Sequence, residues 1–123
     1  MTYNVAILGA SSNPSRYAWK AQRLLSEHGY PVFPVSISHA EVDGVAAFRT
    51  LTEIPATVDT VTLYLRPDNL ESCLADILAI KPRRVIFNPG SESPQAMKVL
   101  REHGIAVEAA CTLVLLRTGQ FDA

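Results

Sequence analysis

Cysteine is scarce: two of the 123 residues, Cys73 and Cys111, with no CxxC pair and no Cys/His spacing around either. That argues against a disulfide framework and against a zinc module. Neither sign of charge dominates. Lysine and arginine number 11, aspartate and glutamate 12, and the net charge is −1, so binding to nucleic acid or to a membrane surface through bulk charge is disfavoured. No apolar run approaches the roughly 20 residues of a membrane span. Met1-Thr2-Tyr3-Asn4 lacks the basic start of a signal peptide, and the expected setting is the cytoplasm, with free thiols. Glycine is sparse as well. After Gly9 the next is Gly29, which excludes the dinucleotide fingerprint GxGxxG, and no glycine precedes a Lys-Ser or Lys-Thr pair as a P-loop requires.

What is present is globular: apolar residues make up 48% and charged residues 19%. The length suits one domain over residues 1–123. Short apolar runs alternate with amphipathic stretches, the pattern of a parallel sheet covered by helices. Val5-Ala6-Ile7-Leu8 reads as a strand buried on both faces. Asn13 and Pro14 read as the N-cap and first position of a helix with Tyr17, Ala21, Leu24, Leu25 and His28 on its inner face, closed by Gly29. Tyr30 to Val35 is the second strand, its ladder limited to the ends or one side by Pro31 and Pro34. Ser36 to Gly44 reads as a loop, and Val45 to Phe48 as a short edge strand.

Thr60 to Leu65 is a β-branched strand. A helix from Pro67 follows, with Leu70, Cys73, Leu74, Ile77 and Leu78 inward. Arg84 to Phe87 is a further strand. Ser93-Pro94 opens a helix capped by Gly104, with Ala96, Val99, Leu100 and His103 inward. Ile105 to Glu108 is the last strand, and Thr112 to Leu116 is apolar without a clear period. Right-handed crossovers then give a doubly wound, mostly parallel α/β sheet of the Rossmann type, strand order 3-2-1-4-5-6. Its crevice falls between Gly9-Ala10-Ser11 and Tyr64-Leu65-Arg66.

The strand–turn–helix junction Gly9-Ala10-Ser11-Ser12-Asn13-Pro14 suits a phosphate, because amides at a helix N-terminus are unpaired and carry the positive end of the dipole. Gly9 admits close approach, Ser11 and Ser12 offer hydroxyls, and Arg16 adds charge one turn on. NAD is disfavoured, because Val35-Ser36-Ile37 stands where an acidic residue should grip the adenine ribose. Arg66 ends a strand at the crevice, where a guanidinium suits phosphate. Cys111 follows the last strand and reads as packing before it reads as a reactive thiol. Cys73 lies on a helix stripe. His28 and His103 complement helix C-termini, and His39 has no identifiable partner in the sequence.

Several segments together resemble a known family. Gly9-Ala10-Ser11 through Arg16, Gly29-Tyr30-Pro31-Val32 into Pro34-Val35, Ile54-Pro55 before Val58-Asp59, and Asn88-Pro89-Gly90 followed by Cys111-Thr112 are similar to the stand-alone coenzyme A-binding domain proteins. The same fold forms the N-terminal domain of the succinyl-coenzyme A synthetase α-subunit. The resemblance implies coenzyme A or an acyl derivative as ligand. It places Gly9, Ala10, Ser11 and Arg16 around the phosphates, Val35 and Ser36 by the adenosine half, Arg66 beside the crevice, and Asn88-Pro89-Gly90 near the pantetheine. Ser36 stands where the family often has asparagine.

The expected function is ligand binding without catalysis. The chain lacks the second domain that carries the phosphorylated histidine in those synthetases, and no Ser–His or Cys–His spacing replaces it. The sequence leaves two alternatives. One is a ligase or thioester-handling component completed by a separate partner subunit. The other is a nucleotide- or redox-sensing module, with Cys111 facing the thiol end of the ligand.

Overall fold

A computed structural model describes residues 3–121; Met1 and Thr2, read above for targeting, lie outside that range. Strand β1 (Val5–Leu8) is buried along its whole length, as a continuous apolar run requires when both faces are covered. It sits between β2 (Val32–Val35) and β5 (Thr60–Leu63), parallel to both. Strands β6 (Arg84–Phe87) and β7 (Ala106–Ala109) extend the sheet, also in parallel, to give the order β2-β1-β5-β6-β7.

Alternate residues of these strands feed two cores. Ala6, Leu8, Val61, Leu63, Val85 and Phe87 pack beneath α2 (Pro67–Leu70), α3 (Leu74–Ile80) and α4 (Pro94–Glu102). Val5, Ile7 and Ile86 pack beneath α1 (Tyr17–Glu27) and α5 (Thr112–Arg117). Helices on both faces of a parallel sheet make the fold doubly wound and Rossmann-like. Among the described residues no helix is long and apolar enough to cross a membrane.

The structure revises four local expectations. First, the expected third strand is not a full member of the sheet. Glu41–Val42 (β3) and Val45–Ala46 (β4) pair with each other as an antiparallel hairpin. Asp43 and Gly44 both take positive φ at its turn, +49° and +77°, the geometry of a two-residue hairpin loop. Only Phe48 reaches the sheet, through a single parallel bridge to Val35. The segment 36–44 is therefore not all loop.

Second, α1 begins at Tyr17 with Arg16 as N-cap. Asn13 caps the preceding turn instead, its Oδ1 accepting from the Ser15 amide at 3.0 Å and the Ser15 hydroxyl at 2.8 Å. Ala18, Ala21, Gln22 and Leu25 form the buried face, and Tyr17 is 68% exposed. Third, the helix expected from Pro67 is broken by a 3-10 turn at Glu71–Cys73. There the Ser72 hydroxyl donates to the Asn69 carbonyl at 3.0 Å, competing with the backbone for that acceptor. Fourth, the segment after Cys111 is helical. Ser93 caps α4 as expected, its hydroxyl accepting from the Ala96 amide.

Pro34 sits inside β2 at no cost to the ladder. The carbonyls of Pro31 and Val35 point toward β1, where they accept from Val5 and Gly9. Pro34 therefore faces outward, so its missing N–H falls on the edge side, and its carbonyl accepts from Phe48.

Candidate functional site

Beyond the carboxyl ends of β1 and β5 the chain leaves in opposite directions, to α1 on one face and α2 on the other. A crevice opens where such connections diverge. A cleft of about 710 Å³ fills this place. Gly9, Ala10, Ser11 and Arg16 line one side of it, with Arg66, Pro89 and Gly90 across from them. Seven of the residues expected to contact a ligand thus share one cavity.

Gly9 does more than admit a ligand. At φ +91° its Cβ position would lie 3.0 Å from Leu65 Cδ2 and 3.1 Å from the Tyr64 carbonyl carbon, so glycine sets how closely the ends of β1 and β5 approach. The amides of Gly9 and Ala10 both donate to the Val35 carbonyl, at 3.3 and 3.1 Å. They are therefore committed to the chain, whereas the amides of Ser11 and Ser12 have no acceptor among the described residues. The first turn of α1 adds its own unpaired N–H groups and contains no acidic residue. Arg16 and Arg66 are exposed, and among the described residues neither has a carboxylate within 4 Å. Two unpaired guanidiniums, free amides and a helix N-terminus give this cleft chemistry that suits an anion.

The remaining expected residues lie elsewhere. Val35 is 3% exposed and belongs to the core, and Ser36 is buried behind the loop; neither is among the lining residues of the cleft. Ser12 is exposed and meets His39, Oγ to Nε2 at 3.0 Å. Asn88 is 1% exposed, and its amide group is spent on the protein. Nδ2 donates to Thr62 Oγ1 at 2.7 Å and to the Leu63 carbonyl at 2.8 Å, while Oδ1 accepts from the Thr112 amide at 2.9 Å. It braces β5 and β6 against the start of α5. The Pro89-Gly90 turn beside it is held by Glu92, which accepts from the Gly90 amide at 2.8 Å, and by the Ser91 hydroxyl, which donates to the Leu65 carbonyl. Cys111 is half-buried and lines a second cavity.

Tyr64 and Leu65, expected at the crevice, line the cleft, and so do Ser38 and His39, which the sequence does not place there. His39 does have partners: besides Ser12, its Nδ1 lies 3.0 Å from Ser38 Oγ and 3.3 Å from Ser36 Oγ. The loop after β2 ends at the same sheet edge as Gly9, and that topology was the signal available.

Tyr64 has a buried phenol oxygen with no hydrogen-bond partner among the described residues. Burial pushes its pKa up to about 12, with the neighbouring Thr112 and Thr62 hydroxyls opposing part of that shift. Unfolded, the phenol ionises near pH 10. Between those values the unfolded chain releases a proton that the folded chain keeps, so this contribution to stability is whole below pH 10 and is lost as pH rises toward 12. Denaturant unfolding at a series of pH values should show that decline. Tyr64→Phe should make it shallower; an identical decline in the variant would assign it to other groups.

Fold and cleft together define a Rossmann-like α/β domain with a crevice at the switch point of the sheet. The chain belongs to the CoA binding domain family, whose pattern matches residues 3–117. It is 26% identical over 103 residues to the uncharacterized protein YneT of Bacillus subtilis, covering 84% of this chain and 76% of that one. A stretch of 62 residues, 50% of this chain and 14% of the relative, is 38% identical to the alpha subunit of the ADP-forming acetate–CoA ligase II of Pyrococcus furiosus. A structure from Thermus thermophilus superposes with a TM-score of 0.90 at 33% identity, over 98% of this chain and 91% of that one. The dinucleotide-forming acetyl-coenzyme A synthetase 1 of Ca. Korarchaeum cryptofilum shares the fold, with a TM-score of 0.77 at 19% identity over 87% of this chain and 25% of its own.

Proposed function

We propose that residues 1–123 act as one domain that binds coenzyme A or an acyl derivative without catalysing a reaction on it. The observation that carries this reading is the pair of unpaired arginines, Arg16 and Arg66, on a cleft also lined by Ser11, whose amide has no acceptor among the described residues. A diphosphate satisfies such a set, and family membership supports coenzyme A as its bearer. In this reading Gly9, Ala10, Ser11, Ser12 and Arg16 surround the diphosphate. Arg66 faces it, and the pantetheine runs past Asn88, Pro89 and Gly90 toward Cys111. Val35 and Ser36 act from behind the adenosine end, shaping the loop that carries His39.

Calorimetry with coenzyme A and with NAD tests the ligand. Coenzyme A should bind more tightly, and tighter NAD binding would overturn the assignment. Arg16→Ala should weaken coenzyme A binding by about 1.5–3 kcal/mol, the range for a hydrogen bond to a charged group, with the unfolding midpoint nearly unchanged because the side chain is exposed.

One contact favours a hydrolytic reading instead. Ser12 and His39 stand at hydrogen-bond distance, 3.0 Å, as a nucleophile and base would. Yet the other imidazole nitrogen meets only serine hydroxyls and lacks the carboxylate that orients such a base. Release of free thiol from acetyl-coenzyme A, lost in Ser12→Ala, would replace the non-catalytic reading with this one.

A further inference from the structure

We propose that the second cavity receives the acyl group of a bound thioester, so that the preferred ligand is a coenzyme A thioester with a short apolar chain and not the free thiol. This rests on the coenzyme A reading above and adds the class of acyl group. The cavity measures about 340 Å³ and shares Tyr17, Tyr64 and Pro89 with the cleft. A ligand held at Arg16 and Arg66 can therefore continue into it past a common wall.

The chemistry of that wall selects an apolar guest. Leu113 and Val114 of α5 form its far side, and Arg117 is the one charged residue lining it. Two further polar groups are unavailable to a guest: the Asn88 amide is fully engaged within the chain, and the Tyr64 phenol oxygen is buried out of reach of solvent. Of three large hydrophobic side chains exposed among the described residues, two border this cavity, Tyr17 at 68% and Val114 at 52%. Apolar surface gathered at the end of a polar cleft is stabilised when a chain of methylenes covers it. A free thiol ending at Cys111 leaves that surface wet, whereas an acyl chain on the same sulfur covers it.

The test is calorimetry of the full chain with coenzyme A and with its acetyl, butyryl and hexanoyl thioesters. Affinity should rise about fourfold per methylene buried and level off once the cavity is filled. In Val114→Asp, at a position half open to water, affinity for coenzyme A should stay the same while the gain with chain length disappears. A flat series with coenzyme A still bound would overturn this inference and leave the coenzyme A reading standing. The same gain in wild type and Val114→Asp would place the acyl chain elsewhere. No binding of any of the four ligands would remove the coenzyme A reading, and this inference with it.

Discussion

Asn88→Ala should destabilise the protein by about 3–4 kcal/mol, a large part of the stability of a domain this size. The side chain makes three hydrogen bonds inside the molecule, to Thr62, Leu63 and Thr112. Thr62 and Thr112 are themselves fully buried and joined hydroxyl to hydroxyl at 2.8 Å. Alanine would leave the Thr112 amide without this partner in a site closed to water, while the Leu63 carbonyl would keep the Ser91 hydroxyl at 3.3 Å, and an unmet buried group costs more than a net hydrogen bond is worth. Urea unfolding should show a lower midpoint with an unchanged slope. A loss below about 1 kcal/mol would mean that water replaces the side chain. Ligand binding should weaken too, because the start of α5 borders the second cavity and is held in place by this residue.

Gly9→Ala carries the second large effect. Two penalties combine there: a φ of +91°, which L-residues rarely adopt, and a Cβ at 3.1–3.2 Å from the backbone carbonyl of Tyr64. The backbone strain alone costs on the order of 1–2 kcal/mol. The contact cannot relax by side-chain rotation, because it is made against main chain. The combined loss should be about 2–4 kcal/mol. Gly29 offers a control within the same molecule, with φ +85° and nothing within 4 Å of its Cβ position. Gly29→Ala should show the strain without the contact, so the difference between the two variants measures how tightly β1 and β5 are drawn together. Equal losses at both positions would show that the close approach contributes nothing.

The long buried strands were legible because Val5–Leu8 and Thr60–Leu63 are unbroken apolar or β-branched runs, and Arg84–Phe87 is one after its first residue. Their parallel order followed from the handedness of crossovers, and with it the cleft that gathers Gly9, Arg16 and Arg66. The hairpin was missed although Asp43-Gly44 is a hairpin turn signal. Its strands have two residues each, too few to show alternation. The start of α1 was misplaced because Asn13 and Pro14 cap a tight turn as readily as a helix. Tyr17 fits the helical stripe by spacing, yet it lies in the first turn, beside the cleft and away from the sheet. The family resemblance sets Asn88 near the pantetheine, and the linear sequence shows nothing of its bonds within the chain. Only three-dimensional proximity to Thr62 and Thr112 reveals that its hydrogen bonds are already taken. His39 had no partner in the linear sequence for the same reason: Ser12 is 27 positions away.

The outward-facing proline of β2 bears on how copies of this chain avoid one another. A parallel sheet that ends in an open strand invites further strands to add, the first step of edge-to-edge aggregation. Along the β2 side, Pro34 offers no donor, and its carbonyl together with the Ser36 amide is already occupied by Phe48. An incoming strand would find the row of hydrogen-bonding groups interrupted at its centre. The opposite edge, β7, carries no such interruption; its one charged residue is Glu108, paired with Arg84 at 3.4 Å. Protection against self-association is therefore unequal across the main sheet, and any fibre or domain-swapped form built by strand addition would grow from β7.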